Sequence, residues 1–300
     1  MERPRSLSSG EHARRLISQQ LDRLRETHPL VLADASPEPL HQFRVCLRRL
    51  RSLLSQFGPA LVIPPRLSRA KIAAVARATG LCRDADVLRE WLERHPLLPL
   101  SPQERQGRGS LLRQLKRRRR QAFDRLEGEL RSDRYRNLQR HLERWCHSPR
   151  LTMLGEQSLM DWLPDWLMAC SGTCFLHAGW FATDPAAPEL HALRKAIKEV
   201  RYGLEALREE LGQEGLNWIA DLREVQSCLG SLHDQEVLRA LLSSQKKGSD
   251  PQPPLPALSQ VLAAERLQSW LRWEQLRGRL LAPARRRSLA TLLHADPESR

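Results

Sequence analysis

The chain has 300 residues and a formal net charge of +14, with 49 Lys and Arg against 35 Asp and Glu. An isoelectric point near 10.5 points to a polyanionic partner: nucleic acid, an acidic membrane or a phosphate polymer. Six cysteines, mostly within apolar patterns, argue against a disulfide framework in a chain this long. The first ten residues hold no apolar segment of the kind that directs secretion, so a cytoplasmic protein is expected.

Leu, Arg, Ala, Glu and Gln dominate and β-branched residues are few, which is a helix composition. Helical periodicity runs almost throughout, with no convincing alternating strand, so the fold class is all-α. The first predicted helix covers about Glu11 to Glu26 and ends at His28-Pro29. The second starts at Pro37-Glu-Pro39, runs to Phe57 and stops at Gly58-Pro59. A third spans Leu67 to about Glu93, and residues 96–102 form a loop. A fourth runs from about Pro102 to Leu130, and Ser132-Asp133 caps a continuation through Trp145. Ser148-Pro149 marks the boundary between two halves, residues 1–149 and 150–300. The second half repeats the order, with helices over about 157–180, from Pro188 to Leu211, over about 215–244 and over about 257–281. Lys246 to Pro256, rich in proline, is a loop. Trp166 to Ala182, the most membrane-like stretch, is slightly short and interrupted by polar residues, and reads as a buried bundle helix.

The two halves share more than their helix order. His41-Gln-Phe-Arg44-Val-Cys-Leu-Arg48-Arg-Leu-Arg51 returns 150 residues later as His191-Ala-Leu-Arg194-Lys-Ala-Ile-Lys198-Glu-Val-Arg201. Arg83-Asp84-Ala-Asp86-Val-Leu returns at the same offset as His233-Asp234-Gln-Glu236-Val-Leu. Two blocks in one register imply an internal duplication, here into two four-helix bundles related by a pseudo-two-fold. In each copy a His and three cations stand at i, i+3, i+7 and i+10, within an arc of roughly 80° at roughly 100° per residue. Phe43, Leu47, Leu50, Leu54 and Phe57 occupy a separate arc, as do Leu193, Ile197, Val200, Leu204 and Leu207. A basic stripe on a helix whose other side is core is a design for binding anions.

The surplus charge sits in the first half, which has 32 Lys and Arg against 16 Asp and Glu, while the second has 17 against 19. Lys116-Arg-Arg-Arg-Arg120 supplies part of it, and Arg113, Lys116, Arg117 and Arg120 share one helix face, a candidate for extra anion contacts.

The paired stripes, the Arg-Asp-x-Asp-Val-Leu block, Arg201-Tyr202-Gly-Leu-Glu205 and Gln226-Ser-Cys-Leu-Gly230-Ser-Leu-His233-Asp234 resemble the CHAD family, the conserved histidine α-helical domain. The likeness covers roughly residues 11–280. It implies an internally duplicated all-α domain that binds inorganic polyphosphate, with basic residues of both halves lining a shared groove. The polyphosphate-binding set is then His41, Arg44, Arg48, Arg51, His191, Arg194, Lys198 and Arg201, with Arg113, Lys116, Arg117 and Arg120 as additions. Asp84 and Asp234 are read as carboxylates that orient neighbouring arginines, or as ordinary interhelix salt bridges.

The chemistry is compatible. Polyphosphate carries about one negative charge per phosphate and no bases, so its receptor needs a track of cations and no stacking platforms. A stripe from His41 to Arg51 rises roughly 15 Å, enough for several phosphates. Arg forks bridge two phosphate oxygens, and His donates to phosphate more strongly when protonated. Nucleic acid is a weaker partner, because aromatic residues do not interleave the stripes. A histidine phosphotransfer protein is the enzymatic alternative, but Val45 and Lys195 stand where a small residue usually follows the cation. No cofactor motif is found, Cys170, Cys174 and His177 lack a fourth metal ligand, and no membrane partner or catalysis is expected.

Overall fold

The computed structural model describes residues 7–94, 99–244 and 255–294. Among the described residues there are eleven α-helices and no strand, only the isolated bridges Ser8 to Ser158 and Leu61 to Leu151. No described helix is long and apolar enough to cross a membrane.

The first half holds α1 (Ser9–Ala33), α2 (Pro37–Gln56), α3 (Arg69–Ala78), α4 (Gly80–Arg94), α5 (Pro102–Arg131) and α6 (Asp133–His147). α1 runs past the stop expected at His28-Pro29: Pro29 forgoes one backbone bond, but buried Val31 keeps the last turn packed. It ends at Asp34, at φ 50°, whose N–H donates to the Val31 carbonyl. The single helix expected over 67–93 is two. Thr79 Oγ1 donates to the Ala76 carbonyl at 2.6 Å and Gly80 follows, so the chain breaks there between α3 and α4.

The second half holds α7 (Leu163–Ser171), α8 (Pro188–Ala206), α9 (Gln213–Ser243), α10 (Pro256–Leu281) and α11 (Pro283–His294). The helix expected over 157–180 shrinks to α7. Gly172 and Thr173 end it, and short 3-10 turns carry the chain to Trp180, which is fully buried and stacked on Trp273. Gly179 lets this segment touch α8: a Cβ there would stand 2.4 Å from the Glu189 carbonyl oxygen. The expected loop at 246–256 falls almost wholly outside the described residues. α11, which periodicity does not reveal, is pinned to α9 by Arg285, which pairs with Asp221 at 2.7 Å and covers the Trp218 ring.

The halves do not keep separate cores. One apolar cluster runs from Ile17, Phe43 and Leu50 through Leu193, Ile197 and Trp218. A second joins the outer ends of α4 and α5 (Trp91, Leu92, Leu111, Leu115) to those of α9 and α10 (Leu238, Leu242, Leu258, Leu262). Buried Glu104 reinforces this second junction. It completes the capping box of α5 with Ser101 and accepts from Ala257 N of α10 at 2.7 Å. Beyond the boundary expected at Ser148-Pro149, the chain still packs on the first half, with Ser9 N donating to Gln157 O and Gly10 N to Gly155 O. The four motif-bearing helices, α2, α4, α8 and α9, meet in the middle of the molecule.

Candidate anion-binding site

On α2, Phe43, Leu47, Leu50 and Leu54 are buried, and on α8 Leu193, Ile197, Val200 and Leu204 are, as the apolar arcs predict. His41, Arg44, Arg48 and Arg51 are thereby held on the flank of α2, half-buried. His191, Arg194 and Lys198 are held likewise on α8. α2 packs directly on α8, and the two stripes face each other. Arg48 lies close enough to both Arg194 and Lys198 to depress their proton affinity, and Arg51 does the same to Lys198.

The result is a crowd of cations with few counter-ions. Lys198 is pushed down to about 8, first by burial and then by Arg48 and Arg194. Arg44 falls to about 10 through burial and Arg48, with Asp84 opposing. Burial also lowers Arg194, with Asp234 opposing. Among the described residues, none of Arg44, Arg48, Arg51, Arg194 and Lys198 pairs with a carboxylate, and Arg44 spends one N–H on Thr79 Oγ1 at 2.8 Å. Such a tract is costly when empty, and a polyanion relieves both the desolvation and the repulsion.

Both stripe histidines are held below the ordinary imidazole value, which favours the neutral ring. Burial, then Arg83, lowers His41. His191 falls to about 4 through burial and its neighbour His233, whose ring centroid is 4.4 Å away. His191 Nδ1 is buried without a hydrogen-bond partner. Asp84 and Asp234 act on Arg44 and Arg194 through space, with no ion pair of their own among the described residues, so they do not orient the arginines by contact.

Two expectations are corrected. Arg201 is not a groove cation: it is 7% exposed, donates through Nε to Gln226 Oε1 at 3.0 Å and pairs with Glu205. Glu205, one turn further along α8, also takes Arg49 at 3.2 Å and Arg223 at 2.9 Å. At the position 150 residues earlier stands Ser55, and among the described residues Arg51 has no such captor. Arg113, Lys116, Arg117 and Arg120 are exposed on the side of α5 opposite its buried Leu111, Leu115, Ala122 and Leu126, pointing away from the bundle. Within the same run, Arg119 is committed to Asp34 and Asp86, while Arg118 lines a cavity of about 260 Å³ beside Asp84 and Arg125.

A larger cavity, of about 620 Å³, opens where α2, α7 and α8 meet. Arg48, Arg51 and Lys198 reach it from the stripes, and Arg69 and Lys195 join them. Lys195, at i+4 from His191, lies roughly 40° outside the stripe arc, so a wider arc includes it. Arg69 opens α3 and carries no periodic signal.

A sequence model of the CHAD domain matches residues 15–243. Two solved structures share the fold. The CHAD domain from the plant Ricinus communis is 23% identical, with a TM-score of 0.66 over 98% of this chain and 94% of that one. PptA from Streptomyces chartreusis is 16% identical, with a TM-score of 0.68 over 90% and 99%. No curated protein matches the chain. The stripes are thus embedded in a domain recognised over most of its length, and the chain belongs to the CHAD family.

Proposed function

We propose that the protein binds inorganic polyphosphate, without catalysis, in a basic tract contributed by both copies of an internal duplication. The observation that carries this reading is the confrontation of Arg48 on α2 with Arg194 and Lys198 on α8. Cations half-buried between helices are accessible to a slender chain of phosphates. A stiff duplex, whose phosphates are spread over its outside, reaches them poorly. The same reasoning ranks nucleic acid as the weaker partner. The two halves act as one binding unit rather than as two independent bundles, and the protein works in the cytoplasm at polyphosphate granules.

The test is titration of the full chain with long-chain polyphosphate, in competition with duplex DNA at equal phosphate concentration. Polyphosphate is expected to bind tighter, with an affinity that falls steeply with salt as condensed counterions are released. No phosphate should be liberated, with or without magnesium. Tighter binding of DNA, or phosphate release, contradicts the reading.

A further inference from the structure

The cavity between α2, α7 and α8 is lined in a way that a phosphate polymer does not require. One wall is cationic: Arg48, Arg51, Arg69, Lys195 and Lys198, with Glu199 as the single carboxylate. The rest of the lining is mainly apolar: Pro59, Ala169, Cys170, Tyr202, Gly203 and the edge of Trp166, whose ring is otherwise buried. A bare polyphosphate gains nothing from such a wall. A ligand with an anionic tail and a flat, weakly polar head gains on both sides. The volume of about 620 Å³ falls inside the roughly 300–1,000 Å³ of small-molecule sites.

The wall is also fixed. Trp166 is held by its Nε1 bond to Ser9 Oγ at 3.1 Å and by the Phe57 ring, 5.1 Å away between centroids. Gly203 brings α8 against α7 so closely that a Cβ there would stand 2.6 Å from Cys170 Cβ. Gln56 at the rim is oriented by its Nε2 bond to the Gly203 carbonyl at 3.2 Å, which leaves Oε1 without a partner.

We propose that this cavity binds nucleoside polyphosphates, with the phosphate chain on Arg48, Lys198, Lys195 and Arg69 and the nucleoside against Pro59, Ala169 and Cys170, at the edge of Trp166. The inference rests on the reading of the stripes as an anion site, since Arg48 and Lys198 belong to both. Nucleoside polyphosphates and polyphosphate therefore compete at this end of the tract.

The probes are ATP, inorganic tripolyphosphate and long-chain polyphosphate, titrated into the full chain without magnesium. ATP and tripolyphosphate carry the same number of phosphates, and ATP carries one negative charge fewer when fully ionised, so any gain for ATP comes from the nucleoside. ATP is expected to bind about tenfold tighter, or about 1.4 kcal/mol. Ala169 is exposed on α7, so Ala169→Trp fills the apolar side without altering charge or core. In that variant ATP should fall to the level of tripolyphosphate, while long-chain polyphosphate stays within about twofold. Equal affinity of ATP and tripolyphosphate for the native chain overturns the inference, and long-chain polyphosphate binding then still upholds the stripes. Tight ATP binding with no polyphosphate binding upholds the cavity and overturns the polymer reading. Binding of neither overturns both.

Discussion

Arg194 crosses α9 at Gly230, where a Cβ would stand 3.7 Å from its Nε. Arg44 crosses the start of α4 at Gly80 with the same 3.7 Å, measured to Nη1. The two contacts are 150 residues apart, the offset at which the two sequence blocks recur, and each stripe arginine meets the helix that carries the Asp block in the same way. In both, the missing side chain leaves a lane for a guanidinium.

The lane can be closed in steps. Gly230→Ala adds a methyl at ordinary contact distance and removes a helix-interior glycine, so stability should rise by up to about 1 kcal/mol with binding unchanged. Gly230→Leu fills the lane and displaces Arg194, and polyphosphate affinity should fall about tenfold, the loss of one charge-assisted contact. Urea unfolding and titration separate the two effects. Equal affinity for the Leu variant would show that Arg194 does not depend on this passage.

Binding should weaken in mild alkali. Lys198, at about 8 in the free protein, is raised by a bound polyanion, so its proton must be taken up for binding once pH exceeds 8. Affinity is then lost as pH rises from 7 to 9, by up to about tenfold for one group one unit past its pKa. Lys198→Arg, which stays charged, should flatten the profile. The histidines work at the other end: burial and neighbouring cations keep His41 and His191 neutral, and a polyanion favours their charged form, so affinity rises in acid. A titration at pH 7 and pH 9 that finds no difference in the native chain removes Lys198 from the site.

Arg51 and Arg201 occupy equivalent positions and should fail differently. Arg51→Ala should weaken binding several-fold at nearly unchanged stability, because its guanidinium has no carboxylate partner among the described residues. Arg201→Ala breaks buried bonds to Gln226 and Glu205, and should cost about 1.5–3 kcal/mol of stability with a smaller effect on affinity. Ser55→Glu gives Arg51 the captor that Arg201 has, and should reproduce the binding loss of Arg51→Ala. If Ser55→Glu binds like the native chain, capture by Glu205 is not what separates the two arginines.

Much of the fold is legible in the sequence, because strong local signals agree with packing. α5 is bounded by Pro102 at its first turn, the Ser101 and Glu104 capping box, and Ser132, and the helix lies where those residues predict it. The stripes are legible for the same reason: Phe43, Leu47, Ile197 and their neighbours fix which side of each helix is buried. What is hidden depends on contacts far along the chain. Trp180 finds Trp273, so α7 stops early, and Asp221 finds Arg285, so α11 docks. Glu205 stands in plain view four residues after Arg201, but its share in Arg49 and Arg223 appears only on folding. Arg69 joins the cavity from α3, an element with no periodic link to either stripe.

The central claim, one tract made by two halves, is tested most directly by paired double substitutions. Arg44→Ala with Arg48→Ala, and Arg194→Ala with Lys198→Ala, should each weaken long-chain polyphosphate binding by roughly 10- to 100-fold or more, at about 1.5–3 kcal/mol per lost contact. Arg286→Ala with Arg287→Ala, exposed on α11, is the control and should leave affinity unchanged; Arg285 is unsuitable because it anchors that helix. The account requires both stripe pairs to lose affinity. A chain that binds normally without Arg194 and Lys198, yet poorly without Arg44 and Arg48, would mean that the second stripe is a relic of duplication and the shared tract does not exist.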